Sequence, residues 1–180
     1  IQAGGITQSG GIVEESWKKT LKKISNYPLT INHCLVLGLG GGTAAKLVRK
    51  FWPETKITGV DIDPIMVELG KKYLGLDKVQ VKVQIQDAYQ YTKYNIQNTK
   101  FDLILVDLYQ GDKFPKKFES EKFLRLIHRL ITDKGIVVFN RLYFDDKRPE
   151  AMKFGRKLEK IFPKVEYFYP QANIMFLCYN

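Results

Sequence analysis

Gly38, Gly40, Gly41 and Gly42 follow the apolar run Cys34-Leu35-Val36-Leu37, and Thr43 then opens a stretch, 44–50, whose apolar residues recur at helical spacing. This reads as a strand, a tight loop and a helix. A loop without β-carbons lets a ligand lie against its backbone, and loop amides at a helix N-terminus favour electron-rich or anionic groups. The pattern fits a nucleotide-type cofactor, although alone it also fits a plain turn. Asp61 adds weight to the cofactor. It closes the segment Thr58-Gly59-Val60-Asp61, 19 residues after Gly42, near the interval of about 20 residues at which such units place a ribose-binding carboxylate. Asp61 could instead cap the next helix. Asp63-Pro64 suits that role better, as an N-cap with proline at the first helical position, which leaves Asp61 available to a ligand.

The elements that must position these residues alternate along the chain. Residues 1–11 carry Gly4, Gly5, Gly10 and Gly11 and read as a hairpin or loop. A helix follows from Glu14, with Trp17, Leu21 and Ile24 on one face and lysines on the other, and Tyr27-Pro28 ends it. Past the glycine loop the pattern gives a strand at 56–60, a helix at 64–74 closed by Gly75, a strand at 79–85 and a short helix after Asp87. Residues 101–107 form an almost uninterrupted apolar strand, as expected for one buried on both faces. Then come a helical stripe (Phe123, Leu126, Ile127, Leu130), a strand at 135–140, a helix at 149–161, and two closing strands at 164–169 and 173–179 that should pair antiparallel across Pro170-Gln171. No internal repeat is visible. The expectation is an α/β protein with a mostly parallel seven-stranded sheet, helices on both faces and a C-terminal antiparallel hairpin. Residues 1–28 form an N-terminal hairpin and helix, and 29–180 the ligand-binding domain, as one globular unit. Ligands of such sheets bind beyond the strands' carboxyl ends. That rim collects 38–43, Asp61, Asp87 and Asp107.

With 180 residues, 44% of them hydrophobic, the chain can bury one core and is short for two. Cys34 and Cys178 both fall in expected buried strands, where small core residues are favoured over a disulfide or metal pair, and no metal site is expected. No apolar run approaches the roughly 18 residues that cross a bilayer, and no signal peptide is evident. A cytoplasmic protein without a membrane partner is expected. The chain begins with Ile1, so it is expected to start inside a longer protein. The net charge of +10 raises nucleic acid as a partner, but the lysines and arginines are interleaved with core positions, and a solvated basic surface is favoured.

Val36-Leu37-Gly38-Leu39-Gly40-Gly41-Gly42-Thr43, Val60-Asp61-Ile62-Asp63-Pro64, Gln86-Asp87-Ala88 and the strand Phe101 to Asp107 resemble the successive motifs of the Rossmann-like S-adenosylmethionine-dependent methyltransferase fold, in the wording of its spermidine-synthase-like branch. The resemblance runs from about Gln8 to Asn140. It implies S-adenosylmethionine, or its decarboxylated form, as cofactor. It implies that Asp61 holds the ribose, Asp87 the adenine amino group, and the loop with Gly38, Gly40, Gly42 and Thr43 the methionine-derived part. Gln8, Ile62 and Ala88 complete the implied cofactor set. Asp107 falls where polyamine synthases keep their catalytic acid, with Tyr109 and Asp112 as neighbours. The structural alternatives are a strand-end carboxylate for Asp107 and plain turn chemistry for Tyr109 and Asp112. The family's small β-domain, which helps form dimers, implies a homodimer.

Three departures bear on what is transferred. The family's loop resembles Gly-Gly-Gly-Asp-Gly-Gly, whose acid holds the aminopropyl end, and Thr43 stands at that place. Its Tyr-Gln pair facing the diamine has become Trp17-Lys18. Its Asp-x-x-Asp-Pro signature is replaced by Asp107-Leu108-Tyr109-Gln110-Gly111-Asp112. Each change removes an anion or polar contact from a site for a polycation, and Lys18 adds a like charge. Methyl transfer to a small-molecule acceptor is therefore expected. Aminopropyl transfer to a polyamine is the alternative, and a non-catalytic basic nucleic-acid-binding or scaffold module is a further one.

Overall fold

The computed structural model describes residues 2–3, 6–7, 11–95 and 99–180, with side chains described from Val13 onward. The elements in order are β1 (Gln2–Ala3), β2 (Ile6–Thr7), α1 (Gly11–Ser25), β3 (His33–Leu37), α2 (Thr43–Phe51), β4 (Lys56–Asp61), α3 (Pro64–Leu74), β5 (Val81–Ile85), α4 (Ala88–Asn95), β6 (Phe101–Val106), α5 (Glu121–Leu130), β7 (Ile131–Leu142), α6 (Lys147–Leu158), β8 (Lys164–Phe168) and β9 (Asn173–Tyr179). β1 and β2 pair antiparallel. The remaining seven strands form one sheet in the order β5-β4-β3-β6-β7-β9-β8. β3 to β7 run parallel, and β9 is antiparallel to both β7 and β8. The expected sheet and closing hairpin are both present.

Strand alternation divides the core into two layers. Leu35, Leu37, Ile104, Val106, Val137 and Phe139 face one side, where Tyr91 of α4, Phe123 and Ile127 of α5 and Phe154 and Leu158 of α6 cover them. Cys34, Val36, Leu103, Leu105, Ile136 and Val138 face the other, under Trp17, Leu21 and Ile24 of α1, Val48 of α2 and Val67 of α3. Full burial of each such side chain stabilises by about 1.5–3 kcal/mol. α1 is thus built into the same core as the sheet. Both cysteines are buried and unbridged.

Boundaries differ from expectation where tertiary pairing extends an element. β7 is longer than 135–140 because Ile131 pairs with Phe101 at one end and Leu142 with Asn173 at the other. β5 starts later than 79 because Leu76–Lys78 form a single 3-10 turn. α6 starts at Lys147 and takes Pro149 into its first turn, where a missing N–H costs nothing.

Candidate active site

The order of the sheet reverses between β3 and β6: from β3 the chain builds outward to β4 and β5, and from β6 to β7. A cavity of about 610 Å³ opens at the carboxyl ends of these strands, a volume in the range of small-molecule sites. The post-β3 loop lies at its centre, Asp61 and Asp87 on the β4–β5 side, and Asp107 and Asn140 on the β6–β7 side.

The central loop needs its glycines for two different reasons. Gly38, Gly40 and Gly42 have φ of 85°, 52° and 86°, a region that β-carbons disfavour. At Gly38 a β-carbon would also lie 2.1 Å from the Asp107 carbonyl oxygen. Gly38 and Gly40 line the cavity together with Thr43, which is 4% exposed at the start of α2. Gly42 does not line it; a β-carbon there would strike Leu76. Gly42 therefore serves the packing of the loop.

Asp63 caps α3, accepting from the amides of Ile65 (2.9 Å) and Met66 (3.3 Å), as its sequence position implied. Asp61 stands at the tip of β4 with one oxygen accepting from the Gly40 amide (2.6 Å) and the other from the Asp63 amide (2.9 Å). Each oxygen keeps a lone pair for a further donor. Ile62 is 59% exposed at the cavity wall. Asp87 caps α4 through the amides of Tyr89 (3.0 Å) and Gln90 (3.1 Å), and its second oxygen pairs with Lys117 Nζ at 2.6 Å. Burial opposes ionisation of Asp87, but Lys117 and the two amides together hold its carboxyl below the usual range. Ala88 lies beside it on the wall. Gln8 lies outside the described residues.

On the other side Asp107 is gripped from two elements. The Trp17 indole N–H of α1 donates to one oxygen (2.8 Å) and the Asn140 amide to the other (2.9 Å), while Asn173 of β9 donates to the Asn140 oxygen (2.7 Å). Burial pushes the Asp107 carboxyl up, and the hydrogen bonds from Trp17 and Asn140 oppose the rise. Tyr109 lines the cavity, but its hydroxyl accepts from the Leu142 amide at 2.6 Å. Burial raises it well above its ordinary value, so it stays protonated. Asp112 is outside the cavity, paired with Lys147 at 2.8 Å. Of the three acids and hydroxyls expected near an acceptor, Asp107 and Tyr109 reach the cavity and Asp112 does not. Sequence reasoning missed Lys117, Asn140 and Asn173 as site residues, and took Trp17 only as a lost contact.

The arrangement fits an adenosyl cofactor. A carboxylate stands at the β4 tip, a loop whose backbone a β-carbon would obstruct lies at the centre, and a second acid stands at the end of β5. Residues 19–174 match the spermine/spermidine synthase domain family. The polyamine aminopropyltransferase of Vibrio vulnificus is 29% identical over 128 residues, which cover 67% of this chain and 43% of that protein. The Drosophila melanogaster eEF1A lysine and N-terminal methyltransferase homolog is 33% identical over 141 residues, covering 73% of this chain and 20% of that protein. The chain spans less than half the length of either curated relative. Human methyltransferase-like protein 13, solved in complex with SAH, superposes with a TM-score of 0.73 at 23% identity, over 93% of this chain and 79% of that one. At that identity the likeness shows the fold alone.

Proposed function

The chain belongs to the spermine/spermidine synthase domain family, and we propose that it acts within that family as an S-adenosylmethionine-dependent methyltransferase. Its relatives carry both chemistries in their names, aminopropyl transfer in Vibrio vulnificus and lysine and N-terminal methyl transfer in Drosophila melanogaster. One observation favours methyl transfer. Among the described residues lining the β6–β7 side of the cavity, Asp107 is the sole carboxylate. A diamine brings two ammonium groups, and leaving either one desolvated without an anion is costly.

In this reading Asp61 binds the ribose hydroxyls, Asp87 and Ala88 the adenine, and Gly38, Gly40 and Thr43 the amino-acid end. Bound S-adenosylmethionine would supply a methyl group already activated by its sulfonium. The protein's share is then mostly alignment of the acceptor, which can account for a large part of the acceleration. Asp107 retains lone pairs to accept an N–H or O–H from the acceptor, and its raised pKa makes it a stronger base than an ordinary carboxylate. Val13, Trp17 and Leu108 provide an apolar wall.

Incubation with S-adenosylmethionine and a panel of amine and hydroxyl acceptors tests this. S-adenosylhomocysteine formation that depends on acceptor and falls in Asp107→Asn is expected. Methylthioadenosine release from decarboxylated S-adenosylmethionine with a diamine, and no S-adenosylhomocysteine, would reverse the order of the two readings.

A further inference from the structure

A second concavity of about 410 Å³ lies behind the Tyr109 wall and shares Tyr109, Gln110, Pro115 and Leu142 with the main cavity. Its charges are unbalanced. Lys113, Lys116, Lys147 and Arg141 line it against only Asp112 and Glu150. Lys147 is spent on Asp112 at 2.8 Å, and Arg141 donates at 2.8 Å to Glu119 behind it. Lys113 and Lys116 are exposed and make no ion pair among the described residues. The floor is rigid. The Arg141 guanidinium is 4.3 Å from the Phe114 ring centre and 4.7 Å from that of Phe154, with its side chain 5% exposed. The Gln110 and Lys113 backbones bond each other in both directions and hold the turn that carries Lys113.

We propose that this side pocket is an anion subsite. It takes a phosphate or carboxylate group, held by Lys113 and Lys116 over the Arg141–Glu119 and Lys147–Asp112 pairs. The pocket adjoins the β6–β7 side of the main cavity, so the group is one carried by the acceptor and reaching past Tyr109. That assignment to the acceptor rests on the transferase reading, whereas anion binding itself does not. Two ammonium groups without an ion pair, set over a floor whose other cations are already paired, outweigh the single remaining carboxylate of Glu150 and so attract an anion and repel a polycation. The subsite therefore separates acidic acceptors from polyamines.

The test is titration of the intact protein with inorganic phosphate and, separately, succinate at fixed ionic strength, following the backbone amide resonances of residues 110–114 and 116. Saturable shifts are expected with at least one anion, and the tighter of the two identifies the source. Replacing two charge-assisted contacts in Lys113→Gln/Lys116→Gln should weaken binding about tenfold or more, while calorimetric binding of S-adenosylmethionine to that variant stays unchanged. No saturable shift with either anion, or equal affinity in the double variant, would overturn the subsite. Saturable anion binding by a protein that binds no S-adenosylmethionine would sustain the subsite and remove the transferase reading.

Discussion

Asp107 is the residue whose chemistry depends most on its neighbours. Its carboxyl sits above the usual range because burial outweighs the donors from Trp17 and Asn140. A folded-state pKa above the unfolded value of about 3.9 means that the folded state holds the proton to higher pH. The associated stability is complete below the unfolded pKa and is lost as pH rises through the folded one. Trp17→Phe keeps the buried ring but deletes the N–H, so it should cost about 1–3 kcal/mol at neutral pH and move that loss to higher pH. Urea unfolding of both proteins from pH 2 to 8 measures both effects. Asp87 behaves in the opposite sense. Its lowered pKa gives stability that is present above the unfolded value and lost as pH falls through the folded one. Lys117→Met removes the ammonium partner, so the difference between folded and unfolded pKa shrinks and the acid limb of the same curve should flatten. An unchanged acid limb would show that the 2.6 Å pair does not persist in solution.

The post-β3 loop is the element on which the site turns, and its Gly38 is the most constrained position. Gly38→Ala puts a β-carbon 2.1 Å from the Asp107 carbonyl at a φ of 85°. Either the loop or the β6 end must move, and a destabilisation of about 3 kcal/mol or more is expected from strain and overpacking together. Thermal unfolding checks it. Gly75→Ala, with nothing within 4 Å of the added atom, should cost less, through its φ of 69° alone. Such local features were legible in the sequence. Apolar runs ending in glycine or aspartate marked β3, β4 and β6, and Asp63-Pro64 marked the start of α3, because these signals lie within a few adjacent residues. The clamp on Asp107 was not legible. Trp17, Asn140 and Asn173 come from α1, β7 and β9, and nothing in their local spacing records that the fold brings the first two to one carboxylate and the third behind Asn140. Lys117 is similar: it reads as one loop lysine among several until the chain folds it onto Asp87.

At the scale of the molecule, the sheet gathers a cofactor side and an acceptor side around one reversal of strand order. The post-β3 loop, Asp61 and Asp87 line the first, and Trp17, Asp107 and Asn140 the second. Among the described residues no helix is long and apolar enough to cross a membrane. The central claim is that the cavity accepts S-adenosylmethionine with its carboxylate in place. Isothermal calorimetry of the intact chain with S-adenosylmethionine and with decarboxylated S-adenosylmethionine tests it most directly, with Asp61→Ala as the control and circular dichroism to confirm that the control is folded. Tighter binding of S-adenosylmethionine, weakened about tenfold or more in Asp61→Ala through loss of charge-assisted ribose contacts, is the predicted result. Binding of neither ligand, or preference for the decarboxylated form, would contradict it.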